Sequence, residues 1–87
     1  MQDEALRLTA REIAKMFADP ATAVKYGPVL TLEEAGDLLR VPAETLRGWR
    51  SRGQLKSCCR RRGHHLRFLR DRLLQWFFDA GIANDER

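Results

Sequence analysis

Three stretches of the chain carry apolar residues at the 3.6-residue spacing of an amphipathic helix. The first apolar face consists of Ile13, Met16 and Phe17. The second consists of Leu32, Ala35, Leu38 and Leu39. The third consists of Leu69, Leu73, Trp76, Phe77 and Ala80. This pattern predicts a short helix over each stretch, the last from about Arg70 to Ala80, and hence a mainly α fold.

Capping signals indicate where the first helices begin. Residues 9–12 and 31–34 both follow the pattern Thr-x-x-Glu, in which a hydroxyl and a carboxylate accept from each other's backbone N–H groups. The first helix is expected to run to about Asp19. Pro20 would then open a second short helix. Proline has no backbone N–H, and at the first position of a helix this group has no partner within the helix, so its loss costs nothing there. Gly27 would end it, so residues 1–28 are predicted to form a helical N-terminal extension.

A further helix is predicted from Glu44 to Arg52, between Val41-Pro42 and Gly53. Proline disfavours helical backbone at the residue before it, which separates this helix from the preceding one. Leu46 and Trp49 share one face and are expected to point into the core. The outer face carries Glu44, Thr45, Arg47, Gly48, Arg50 and Ser51. Two short helices joined by a tight turn describe a helix-turn-helix, whose second helix lies in the major groove of DNA.

A β-hairpin is predicted next, with strands Leu55–Cys59 and His64–Phe68. The expected register pairs Cys59 with His64, Ser57 with Leu66 and Leu55 with Phe68. Strand alternation then directs Leu55, Leu66 and Phe68 to the core. The opposite, outward set is Lys56, Cys58, His65 and Arg67. The basic tip predicts a wing that contacts phosphates or enters the minor groove, through Arg60, Arg61, Arg62, Gly63 and His64.

Charge is concentrated in the same part of the chain. Residues 40–72 hold eleven basic and two acidic residues, whereas the whole chain has a net charge of +4. A basic block of this kind is the electrostatic footprint of a surface that binds a polyanion. The predicted organisation is a winged helix-turn-helix domain over residues 29–80, with the N-terminal extension before it and a tail at 81–87. Double-stranded DNA is the expected partner.

Enzymatic chemistry is not expected. Cys58, Cys59, His64 and His65 form the one cluster that suggests a metal. Neighbouring strand residues face opposite sides, so each face of the hairpin offers too few of the four ligands that zinc needs. Gly-rich phosphate loops and nucleophile–base motifs are also absent from the sequence. We therefore expect no catalytic residue, no metal and no cofactor.

Apolar residues exceed what a single small core needs. Leu74 and Phe78 extend the apolar face of the last helix. Either the N-terminal helix covers this surplus within the chain, or a neighbouring subunit does. The candidates for such self-association are Ile13, Met16, Phe17, Leu74 and Phe78. No apolar run approaches the roughly 20 residues that span a bilayer, and the acidic start lacks a signal peptide, so a cytoplasmic protein without membrane contact is expected.

Four segments together resemble the excisionase and MerR-type winged-helix family. They are Leu30-Thr31-Leu32-Glu33-Glu34-Ala35, Leu38-Leu39-Arg40-Val41, Thr45-Leu46-Arg47-Gly48-Trp49, and Arg67-Phe68 before an aromatic-rich helix. The resemblance covers residues 29 to 78. Pro42 stands where the family usually has an N-cap serine, and Gly48 where it often has a long polar side chain. Chain size and the arginine-rich wing are most similar to phage excisionases, and the excess of arginine over lysine suits the GC-rich genome of a mycobacteriophage.

The resemblance implies a recombination directionality factor of a phage in its bacterial host. Such proteins bind repeated sites cooperatively, self-associate head-to-tail along DNA, bend it, and direct a phage integrase toward excision. A small winged-helix repressor is the alternative. About 19 residues follow Phe68, which disfavours a regulator with an effector domain. A protein-interaction adaptor with an acidic partner is a third interpretation, against which the basic wing argues.

Overall fold

The computed structural model describes residues 8–80, without the side chains of Asp79 and Ala80. Its helices are α1 (Ala10–Met16), α2 (Pro20–Lys25), α3 (Leu32–Leu39), α4 (Ala43–Ser51) and α5 (Arg70–Gln75). Its strands are β1 (Val29–Leu30), β2 (Cys59–Arg62) and β3 (His65–Leu69). The predicted mainly α fold with a small sheet is confirmed. No helix within residues 8–80 is long and apolar enough to cross a membrane.

Side-chain caps begin the first three helices, and two of them are the capping boxes that the sequence predicted. The Thr9 hydroxyl accepts from the Glu12 N–H at 3.1 Å, and the Glu12 carboxylate accepts from the Thr9 N–H at 2.9 Å. Thr31 and Glu34 repeat this capping box with the same two distances. Asp19 caps α2 by accepting from the Thr22 N–H. The end of α1 was misplaced: the helix stops at Met16, short of Asp19.

A close backbone approach joins α3 to α4. Arg40 adopts the left-handed conformation, with φ of 60°, and reverses the chain. The Val41 N–H then donates to the Gly36 carbonyl at 3.0 Å. A Cβ on Gly36 would lie 2.9 Å from the Val41 carbonyl oxygen, so only glycine fits without a shift. This contact fixes the turn of the helix-turn-helix and thereby the direction of α4.

The three strands form an antiparallel sheet in the order β1-β3-β2. The predicted hairpin register is wrong. Cys59 pairs with Phe68 instead of His64, and Arg62 pairs with His65. The chain reverses over the two residues Gly63 and His64, and Gly63 takes a φ of 63°, as the first position of a two-residue hairpin turn favours. Arg60, Arg61 and Arg62 are therefore strand residues and not a loop.

The segment before β2 explains the error. Residues 52–58 form successive turns instead of a strand, starting at Gly53, whose φ is 80°. These turns bury both Leu55 and Cys58. The predicted outward direction of Cys58 is therefore wrong. The alternation of β3 is confirmed, since Phe68 is fully buried and Leu66 is half-buried between exposed neighbours.

One core joins all the helices that carry buried residues. Its members are Ile13, Phe17, Leu30, Leu32, Ala35, Leu39, Leu46, Leu55, Cys58, Cys59, Phe68, Leu73 and Leu74. Helix α1 packs against α5. The apolar surplus on α5 is thus covered from within the chain, at least over Leu74, which is buried. The N-terminal segment contributes to the same core as the helix-turn-helix.

The last predicted helix differs from expectation in two ways. After Gln75 the backbone widens into a π-helix over Trp76–Ala80. Leu69, placed on the apolar face by its spacing, is the last residue of β3 and is 47% exposed. In the π-helical segment, Trp76 and Phe77 pack against Trp49 with ring centroids 5.4 and 6.2 Å apart. This aromatic group supports the back of α4.

Candidate nucleic-acid interface

Helix α4 is held against the core by one face and presents the other to solvent. Leu46 is fully buried, and Trp49 is half-buried against Trp76 and Phe77 of the π-helical segment. Pro42 is the N-cap and has no side chain that can cap the helix. The first N–H groups of α4 thus lack a side-chain partner of the kind that Thr31 gives α3. The N–H groups of Thr45 and Leu46 instead donate to the Pro42 carbonyl, at 2.9 and 3.4 Å.

The outer-face residues predicted for α4 differ in how they are placed. Glu44, Arg47 and Ser51 are exposed. Arg47 and Glu44 form an ion pair of 3.9 Å, and such exposed pairs contribute little stability, so DNA can replace the contact. The Ser51 hydroxyl donates to the Gly48 carbonyl within the helix. Thr45 is half-buried.

Arg50 is turned toward the wing instead of outward. It is half-buried, and its charge lies close enough to Cys59 to act on that thiol. Burial raises the pKa of Cys59, and the Arg50 charge opposes this effect. Burial likewise raises the pKa of Cys58 to about 11. Both cysteines are free thiols, and their raised pKa values keep them protonated near neutral pH.

The wing residues lie on both faces of the hairpin. Arg61 is opposite Leu66 in the register, and Arg60 is opposite Arg67. Arg60 donates to the carbonyls of Lys56 and Cys59, which fixes its guanidinium against the preceding turns. Gly63 and His64 form the exposed tip. Like charges directly opposite one another destabilise a sheet, and the guanidinium groups of Arg60 and Arg67 both donate to backbone carbonyls.

A groove of about 850 Å³ runs between α4, the start of α3 and the wing. Its lining residues are Thr31, Leu32, Glu33, Arg47, Arg50, Arg61, Gly63, His64, Leu66 and Arg67. Four arginines and one histidine thus line a single concavity, together with one acidic residue, Glu33. The groove joins the two elements that the sequence predicted to contact DNA. Phosphate contacts from such groups give affinity that is independent of sequence.

The cysteines and histidines that the sequence singled out do not come together in the fold. Within residues 8–80, no group of three or more His, Cys, Asp and Glu residues is placed to hold a metal ion. The strand register separates the cysteines from the histidines. His65 pairs with Arg62, which lies three positions along β2 from Cys59. Both cysteines are buried, whereas both histidines are exposed.

Sequence reasoning missed two residues that make close contacts at the start and the end of α4. Gly36 sets the approach of the turn to α3, as described above. Arg52, just past the end of α4, lies across Gly48, with its Nη1 atom 3.5 Å from where a Cβ on Gly48 would be. The available signal for Arg52 was its spacing, because residues four apart are neighbours on a helix surface.

A helix-turn-helix with a basic hairpin beside its second helix defines a winged helix-turn-helix DNA-binding protein. A family model described as a helix-turn-helix domain matches residues 29–77. The chain therefore belongs to the helix-turn-helix domain family. Membership implies sequence-specific binding to double-stranded DNA, in a family that is typically non-enzymatic. No curated protein and no solved structure matches the chain.

Proposed function

We propose that this protein is a phage excisionase, a recombination directionality factor. In this role it binds repeated sites in attachment-site DNA, bends the duplex, and directs the phage integrase toward excision. It catalyses no step itself. The observation that carries the proposal is the contrast between a short reading helix and the arginine-rich groove beside it.

The reading helix offers few side chains for base contacts. It has nine residues, Gly48 next to its centre has no side chain, and Arg50 is directed to the wing groove. Of the two arginines of α4 that were predicted to contact DNA, Arg47 is exposed and Arg50 is half-buried. A single copy is therefore expected to discriminate weakly between sequences. Adjacent copies on repeated sites raise one another's effective concentration, which supplies the missing affinity.

The wing supports bending. Arg61, Gly63 and His64 line the groove on the side of the wing, and a hairpin tip in this position could reach the minor groove next to the bases read by α4. Arginine is attracted to a narrowed minor groove, and narrowing accompanies curvature of the duplex. Several wings along an array would add their local bends in phase.

Self-association would use the exposed part of the predicted set. Ile13, Phe17 and Leu74 are buried in their own chain and cannot reach a neighbour without unpacking α1. Met16 is 46% exposed, and Phe78 is half-buried. A head-to-tail contact between copies would therefore involve Met16 or Phe78 rather than the buried three.

Footprinting on attachment-site DNA, with and without the integrase, tests the proposal. Protection that grows periodically from one end with rising protein concentration, and that alters integrase protection, is the expected result. Protection of one isolated site that neither spreads nor changes with integrase would contradict the excisionase role and favour a small winged-helix repressor. Failure to protect any duplex at low salt would exclude both.

A further inference from the structure

Two arginines lie in α4 and a third is its C-cap, and they differ in whether their guanidinium groups already contact other groups of the protein. Arg47 is paired with Glu44, and Arg50 is half-buried in the groove near Cys59. Arg52 is exposed. Among residues 8–80, its side chain has no hydrogen-bond or ion-pair partner. Its guanidinium therefore keeps all five N–H donors available.

Gly48 makes room for this guanidinium on the helix surface. A Cβ built on Gly48 would lie 3.5 Å from Nη1, 3.8 Å from Nη2 and 4.0 Å from Cζ of Arg52. Three atoms of one guanidinium at such similar distances indicate that the group lies across the glycine. A long side chain at position 48 would occupy the same space.

The guanidinium lies on the side of α4 that is turned away from the core. Gly48 follows the buried Leu46 by two residues, which at 3.6 residues per turn is about 200° around the helix. The face over Gly48 is therefore nearly opposite the core. Arg52 lies beyond the last helical residue, yet its charged group comes to rest near the middle of α4.

We propose that Arg52 is a base-reading residue and that Gly48 is the recess that positions it. The inference rests on DNA binding through α4. An arginine fork matches the O6 and N7 acceptors of guanine in the major groove. A guanidinium already resting on the helix loses less side-chain freedom on binding than a fully extended one. The missing side chain at position 48 is thus replaced by that of residue 52.

A set of matched variants separates base reading from general charge. Arg52→Ala removes the fork, and Arg52→Lys keeps the charge without the bidentate geometry. Gly48→Leu fills the recess, whereas Gly48→Ala adds one atom at ordinary contact distance. Arg11→Ala, on the exposed surface of α1, controls for the loss of one positive charge.

The probe is a duplex pool with a randomised segment, from which the wild-type protein selects its preferred site. Affinities are then measured for that site and for its single-base variants. Arg52→Ala and Arg52→Lys are both expected to lose about 5- to 150-fold of discrimination at one G·C pair, with the other positions unchanged. Gly48→Leu should produce the same loss, and no further loss in the Arg52→Ala background. Gly48→Ala, whose single added atom lies at ordinary contact distance from Arg52, should cause a smaller loss than Gly48→Leu. Arg11→Ala should keep the discrimination.

Two results would overturn the inference while leaving DNA binding intact. One is an equal loss of affinity for every duplex with Arg52→Ala, which would make Arg52 a phosphate contact. The other is unchanged discrimination in both Arg52 variants. If the wild-type protein selects no sequence from the pool, sequence-specific binding fails together with the inference. Circular dichroism of each variant confirms that the fold is retained.

Discussion

Arg70 lies inside the basic segment but acts in packing. Its Cζ atom is 3.7 Å from the centroid of the Phe17 ring, and its Nη1 donates to the Tyr26 carbonyl at 3.0 Å. Its Nε donates to the Asp71 carboxylate at 2.8 Å, and the side chain is only 13% exposed. The guanidinium thus ties both N-terminal helices to the start of α5. A charge count along the sequence assigns this residue to the DNA-binding surface, because counting cannot see burial.

Replacing Arg70 with lysine is expected to lower the free energy of unfolding by about 1–2 kcal/mol. Lysine keeps the charge but loses the planar stack on Phe17 and one of the two hydrogen bonds. Urea denaturation measures the change. Arg72→Lys, at an exposed position on α5, is the control and should be nearly neutral. Equal effects of the two variants would show that Arg70 does not hold the N-terminal helices.

The buried thiols predict a pH dependence of stability. The pKa of Cys58 is raised from 9.0 to about 11, so between these values the unfolded chain releases a proton that the native chain keeps. Stability contributed by the neutral thiol is full below pH 9 and declines as pH rises toward 11. The difference in unfolding free energy between the wild type and Cys58→Ala should therefore shrink over this window. A difference that is constant from pH 8 to pH 10.5 would contradict it.

At the scale of elements, the helix starts were predictable and the hairpin register was not. Caps such as Thr9 and Thr31 act within three residues, so their sequence is enough to place them. The register depends on how the turns before β2 pack Leu55 and Cys58 into the core. This packing involves residues distant in the sequence, so a local pattern cannot predict it. The outer face of α4 followed from helical spacing. The turn of Arg50 toward the wing depends on residues that are distant in the sequence, whereas the contact of Arg52 with Gly48 joins residues only four positions apart.

The close contact at Gly36 sets the angle of α4, and Gly36→Ala should disturb it. The added Cβ would lie 2.9 Å from a backbone oxygen, so α3 and the turn must separate. We expect a loss of about 1–3 kcal/mol in stability and weaker DNA binding. Gly27→Ala is the matched control, since nothing lies within 4 Å of its Cβ position, and it should be neutral or slightly stabilising. Thermal melts distinguish the two, and equal melting temperatures would contradict the close-packed turn.

At the scale of the whole molecule, the N-terminal segment is part of the fold. Ile13 is fully buried and Phe17 nearly so, and the Pro28 carbonyl accepts from the Arg70 N–H at 3.0 Å. The sequence left open whether this segment covers its own chain or a neighbour, because an apolar helix face does not identify its partner. The structure places α1 on α5 of the same chain.

Deleting residues 1–28 is therefore expected to destabilise the domain. Exposing the surface that Ile13 and Phe17 cover should cost about 3–6 kcal/mol, a large share of the stability of a domain this small. Thermal melting followed by circular dichroism measures the loss. Val24→Ala, at a position that is 84% exposed, is a control that should melt like the wild type. A truncated chain with an unchanged melting temperature would show that α1 does not belong to the core.

The salt dependence of DNA binding tests the interface most directly. Arg61 lines the groove between α4 and the wing, whereas Arg11 is exposed on α1. In a plot of log affinity for one duplex against log salt concentration, Arg61→Ala should reduce the slope by about 0.9, as expected for one lost phosphate contact. Arg11→Ala should leave the slope unchanged. A reduced slope for Arg11→Ala with an unaltered slope for Arg61→Ala would place DNA on the N-terminal helices and contradict the interface described above.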